Sequence, residues 1–200
     1  MDILSNLPYT FFGDFYIRVN KIKYGWMELC VGIGDKCFNY QASYTGDPLN
    51  YLLAAAVSVV KNQKSTSNYN GVAYEGEYFY ITHDLEPSLV TWLFKPGKEK
   101  LTLIIWEDMP LYFEEMIDGG FDCSSPEIQM LDNVPDITAD ICFAIKDSPV
   151  AFVKALLCAV EGLTRLERQE DEAGDNEWGH SYSLDNVELL KSWLVKNEHI

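Results

Sequence analysis

From Ser43 to Lys61 the chain reads SYTGDPLNYLLAAAVSVVK, and no other stretch restricts its fold so tightly. Between Leu49 and Val60 only Asn50, Ser58 and the Tyr51 hydroxyl are polar. A helix there must be buried over most of its circumference, because it has no wet stripe to turn to solvent. Asp47 supplies a capping carboxylate, and Pro48 suits the first helical position, where no N–H is needed. Ala54, Ala55 and Ala56 let the helix lie close against a sheet or a second helix. The run leading into it alternates Phe38, Tyr40, Ala42 and Tyr44 with polar residues, the period of a half-buried strand, and Thr45-Gly46 turns the chain.

Two more strands precede this unit. Phe15, Ile17 and Val19 alternate with Tyr16, Arg18 and Asn20; then Trp26, Glu28 and Cys30 face one way and Met27, Leu29 and Val31 the other. Gly32-Ile33-Gly34-Asp35 reads as a hairpin turn into the strand Lys36 to Tyr44, and not as a phosphate loop, because no helix follows it. After a polar loop from Asn62 to Gly71, strands are expected over Tyr74–Thr82, Leu89–Phe94, Leu101–Trp106 and Ile137–Ile145. A second helix starts after Asp147-Ser148-Pro149, with Phe152, Leu156, Ala159, Leu163 and Leu166 on one face and Lys154, Glu161, Arg165 and Arg168 on the other. A C-terminal helix is expected over residues 183–197, with Leu184, Val187, Leu190 and Leu194 on its apolar side. The two strand-to-helix junctions are alike, and Pro48 and Pro149 lie 101 residues apart. That echo fits an internal duplication of a strand-rich unit closed by a helix, with half-repeats 11–62 and 72–168. Ordinary helix-start chemistry explains it equally well. The expected fold is α+β: one domain over residues 1–200, an antiparallel meander of six or seven strands, and helices packed on one face.

Charge sets the class of partner. The chain carries 31 Asp and Glu against 15 Lys and Arg, a net charge of −16. Such a field repels nucleic acid and anionic membranes and draws in basic proteins, although a solvated surface alone accounts for it too. The apolar runs are too short to span a bilayer, and the Met1–Pro8 start lacks a secretory pattern, so a reducing cytoplasm is expected. The five cysteines show no paired spacing. Cys142 and Cys158 read as small buried hydrophobes, while Cys30 and Cys37 could face each other across a hairpin.

Catalytic chemistry is thinly represented. His83, His180 and His199 have no metal-ligand spacing, and no cofactor signature occurs. A nucleophilic pair could be assembled from Cys37 or Cys123 with His83. Glu75 and Glu77 share a strand face at about 7 Å, with Glu86 nearby in sequence, which suits a solvated face as well as an acid–base pair. The acidic tract is more specific. From Leu101 to Ile145 there is no Lys or Arg but there are ten acids, interleaved with aromatics. Glu107, Asp108, Tyr112, Phe113, Glu114, Glu115, Asp118, Phe121 and Asp122 form the candidate surface for a basic protein, rings giving contact area and carboxylates giving steering. Anchoring of those rings in the core is the competing explanation.

The run Tyr44-Thr45-Gly46-Asp47-Pro48-Leu49-Asn50-Tyr51-Leu52-Leu53, with Tyr74-Glu75-Gly76-Glu77-Tyr78-Phe79-Tyr80 after it, resembles small acidic bacterial proteins, some of them immunity partners of secreted toxins. The resemblance covers roughly residues 36 to 106. It implies an α+β fold and a non-enzymatic binding role, and it transfers no functional residue. The expected function is thus a soluble cytoplasmic binding protein, of immunity type, that neutralises a basic partner. A small hydrolase-like enzyme and a homo-oligomeric structural subunit are the alternatives.

Overall fold

A computed structural model describes residues 15–23, 26–43, 47–62, 72–75, 78–85, 88–97, 99–108, 141–173 and 182–197. They form an α+β fold in which the expected antiparallel meander is divided between two sheets. The first holds β1 (Phe15–Lys23), β2 (Trp26–Ile33) and β3 (Lys36–Ser43), in that order. The second holds β4 (Ala73–Glu75), β5 (Tyr78–Asp84), β6 (Leu89–Pro96), β7 (Leu101–Asp108) and β8 (Ile141–Asp147), also in sequence order. Three helices accompany them: α1 (Pro48–Lys61), α2 (Pro149–Ala173) and α3 (Leu184–Asn197).

Alternation fixes the faces of the first sheet. Ile17, Val19, Met27, Leu29, Val31, Tyr40 and Ala42 are buried on the inner side. Register pairs Tyr16 with Gly32, Arg18 with Cys30, Cys30 with Asn39, and Gly32 with Cys37, so these residues share the outer side. Ile33 pairs with Lys36 across the two-residue loop Gly34-Asp35, and Gly34 takes the positive φ (60°) that such a hairpin turn requires at its first central residue. In the second sheet Phe79, Ile81, Trp92, Phe94, Leu103 and Ile105 belong to the main core, while Tyr80, Leu93, Ile104 and Trp106 on the alternate positions are buried as well. Burial on both faces is what the near-continuous apolar run from Leu101 to Trp106 calls for.

The helix at the centre of the sequence argument is buried from Pro48 to Val59 except at Asn50 and Tyr51. Asp47 caps it from an αL backbone (φ 50°), a conformation open to Asp, and Asn62 closes it in the same region (φ 47°). The two polar interior residues are both satisfied. Ser58 Oγ donates to the Ala54 carbonyl (3.0 Å). Asn50 Nδ2 donates to Asp47 Oδ2 (2.5 Å), and its Oδ1 accepts from the Ser183 N–H (2.7 Å), tying the start of α1 to the start of α3.

Each helix leaves the strands that precede it in the chain. α1 follows β3 yet packs on β5 and β6; α2 follows β8 yet runs alongside β1. Phe152 of α2 touches Phe15 of the first sheet (centroids 6.4 Å apart) and Phe94 of the second (5.4 Å). One apolar cluster therefore draws on both sheets and all three helices. Two expectations need correction. Cys158 is exposed, because its side of α2 faces a groove and not the core. Leu184 is 67% exposed, because α3 begins there and turns only Val187 and Leu190 fully inward. The Cys142 side chain and residues 137–140 of the strand expected over Ile137–Ile145 lie outside the described part.

Candidate functional site

Sequence order leaves β1 at one end of its sheet, so among the described residues its outer backbone edge meets no further strand. Beside that edge runs α2. Between them lies an open groove of about 730 Å³, lined by Phe15 to Asn20 and by one side of α2. Its helical wall is low because Ala151, Ala155, Ala159 and Gly162 recur at helical spacing. Among the described residues the charged side chains in the lining are Arg18, Lys154 and Arg165, with no acid. All three side chains are exposed. On a chain of net charge −16, this is a local reversal of sign. A register shift between Val19 and Lys21 bulges β1 at Asn20, so the regular part of the edge is Phe15–Val19.

Around the corner, on the outer face of the same sheet, is a cluster of two thiols and a phenol. The Tyr16 ring crosses the strand gap and lies over Gly32; a Cβ at Gly32 would run into it and would meet the Lys36 carbonyl at 2.7 Å. This places the phenol beside Cys30 and near Cys37. The two thiols are neighbours on this face, Cys30 buried and Cys37 exposed. Asn39 Nδ2 donates to Cys37 Sγ (3.7 Å), and the Arg18 guanidinium stacks on the Tyr16 ring (4.4 Å). Burial raises the Cys30 pKa, and a charge on Cys37 would raise it further; the Tyr16 and Arg18 contacts act the other way. Desolvation likewise holds the Tyr16 phenol up, with both thiols adding to the effect and Arg18 opposing it.

His83 is the buried polar group that joins the sheets. Trp92 Nε1 on β6 donates to the Tyr40 hydroxyl on β3 (3.1 Å), and that hydroxyl lies 2.8 Å from His83 Nδ1 on β5. An indole N–H can only donate, so the Tyr40 oxygen accepts from Trp92, while the direction of its bond with Nδ1 follows the imidazole tautomer. Nε2 is buried and meets no partner at full hydrogen-bond geometry among the described residues, although the Pro48 carbonyl lies close enough to act on the ring. Burial pushes the His83 pKa down to about 3, and the Pro48 carbonyl offsets this only in part. The ring is neutral at ordinary pH and sealed from solvent, which makes it a core strut.

The described part does not assemble the proposed nucleophilic pair. Cys37 stands on the outer face of the first sheet, while Tyr40 holds His83 from the inner one; Cys123 lies outside the described residues. Glu75 is the last residue of β4, opposite Tyr78, and Glu77 and Glu86 are outside the description. Of the acidic tract, Glu107 is exposed at the end of β7 and accepts from Ser88 Oγ (2.9 Å), and Asp108 pairs in register with Leu89. Tyr112, Phe113, Glu114, Glu115, Asp118, Phe121 and Asp122 lie outside the described residues. No set of three metal-ligating side chains comes together among the described residues, and none of their helices is long and apolar enough to cross a membrane.

Sequence reasoning placed Cys30 and Cys37 across a hairpin, but it singled out neither the groove nor Tyr16 beside the thiols. Signals for both exist: the small residues at 151, 155, 159 and 162, and the alternation that puts Tyr16, Cys30 and Cys37 on one face. Neither says what lies opposite. Comparison of the chain with protein-family models, with curated proteins and with solved structures returned no match.

Proposed function

We propose that the protein is a non-enzymatic binding protein that takes an extended segment of a partner along β1. The observation that carries this reading is the edge of β1, which among the described residues pairs with no further strand, beside a groove with a small-residue wall. A strand added to a sheet edge gains main-chain hydrogen bonds regardless of sequence, and the adjoining groove supplies selectivity. Arg18, Lys154 and Arg165 favour acidic side chains on that segment, and the net charge of −16 disfavours nucleic acid in the same place. The three free thiols among the described residues agree with a cytoplasmic setting.

A second reading is that the acidic tract grips a basic protein, as an immunity-type protein would. Its support is the stretch from Leu101 to Ile145 without a positive charge, together with exposed Glu107 at its start. One experiment separates the two. A partner is captured from native lysate and purified, and its association and dissociation rates are measured at two salt concentrations. Cys158→Trp, which fills the groove from an exposed position, should raise Kd at least tenfold if the segment docks there. Lysine at positions 114, 115 and 118 should slow association at low salt if the tract steers the partner. A partner bound equally well by both variants overturns both readings, and a lysate yielding no saturable partner removes the binding function itself.

A further inference from the structure

We propose that Cys30 and Cys37 are a thiol pair that forms an intramolecular disulfide on reaction with a small-molecule disulfide. The pair stands on geometry. Cys30 on β2 and Cys37 on β3 occupy the same outer face, one step from direct opposition, since Cys30 faces Asn39 and Cys37 faces Gly32. Such diagonal neighbours stand about 7–8 Å apart at Cα, slightly beyond the usual disulfide span of about 4.4–6.8 Å. Here the two thiols are neighbours on one face, and both lie near the two-residue turn, where closing the last ångström disturbs the fewest ladder bonds.

The division of labour follows from exposure and contacts. Cys37 is exposed, and the Asn39 amide N–H donates to its sulfur. Its thiolate attacks one sulfur of the small disulfide. A Cys37–S–SR bond forms, the original S–S bond breaks, and one thiol RSH leaves with the proton that Cys37 gave up. Cys30 then attacks Cys37 Sγ. The protein disulfide forms, the Cys37–SR bond breaks, and the second RSH leaves with the Cys30 proton. Two electrons pass from the two thiols to the small disulfide. Cys30 is buried, so the second step is the slower one, and the Tyr16 phenol assists it by favouring the thiolate that Cys30 must form before it attacks. A bond formed across a stretched diagonal is easily reduced, so the site is a reversible one.

The test uses the full chain treated with oxidised glutathione, followed by peptide mapping under acid quench. The expected product is a Cys30–Cys37 linked peptide, about 2 Da lighter than the reduced pair, returned to thiols by reduced glutathione. Cys37→Ser should abolish it, whereas Cys158→Ser should leave it unchanged. Tyr16→Phe should let the Cys37–glutathione adduct accumulate several-fold, and Asn39→Ala should slow the first step without that accumulation; a purely structural role for Tyr16 would not separate the two steps. A stable adduct at Cys37 in the wild type with no linked peptide overturns the proposal. So does a linkage of either cysteine to Cys123, Cys142 or Cys158, or no reaction at all while Cys158 is modified.

Discussion

At the scale of single residues, His83 shows how a titratable side chain becomes part of a core. Tyr40 and Trp92 take up one side of the imidazole through a chain of hydrogen bonds, and stacking near Trp92 fills the space around it. The cost of that arrangement is that the ring cannot accept a proton in place. Its folded pKa, about 3, lies below the ordinary value of 6.5, so the unfolded chain binds the extra proton first. Stability from this group is therefore complete above about pH 6.5 and falls as pH drops toward 3, by about 1.4 kcal/mol per pH unit. Urea midpoints at pH 7, 5.5 and 4.5 should fall less steeply for His83→Gln than for the wild type. Equal slopes would show that the histidine is solvated. Alternation in β5 hints that His83 points inward, but nothing local reveals that its partner is Tyr40, 43 residues earlier.

At the scale of elements, the parts that could be read from the sequence are those whose causes are local. The alternation of β1 to β3, the Asp47-Pro48 start of α1 and the Ser148 cap of α2 all act within a few residues. What could not be read is where each element goes. Cys158 and Leu184 were misassigned because helical periodicity describes a stripe, while the surface that covers the stripe comes from elsewhere in the chain. Asn50 makes the same point. In sequence it is a blemish on an apolar helix; in the fold it is a joint between α1 and α3. Asn50→Ala should cost about 1–3 kcal/mol, the penalty for stranding a partly buried N–H. The loss should be local, so amide exchange should quicken around Ser183 and Val187 more than within β6 or β7. Uniform acceleration would mean that α3 is held by its apolar contacts alone.

For the whole molecule, the governing fact is that the helices cross over. The first sheet is covered by α2 and the second by α1, with Phe152 wedged between rings of both sheets. Neither half closes its own core. Fragments 1–71 and 72–200 should each lack a cooperative thermal transition, and an equimolar mixture should recover near-ultraviolet dichroism and a single melt. A sharp transition in either fragment alone would argue that it carries a self-sufficient core. The crossing also sets a timetable for biosynthesis. β1 leaves the ribosome well over a hundred residues before the helix that shields it, and at about 5–20 residues per second that interval lasts on the order of ten seconds. Through that interval β1 lacks one of its permanent neighbours. The nascent chain is thus a natural client for holding factors, and slowing elongation across residues 109–148 should lower its yield more than slowing it after α2 is complete.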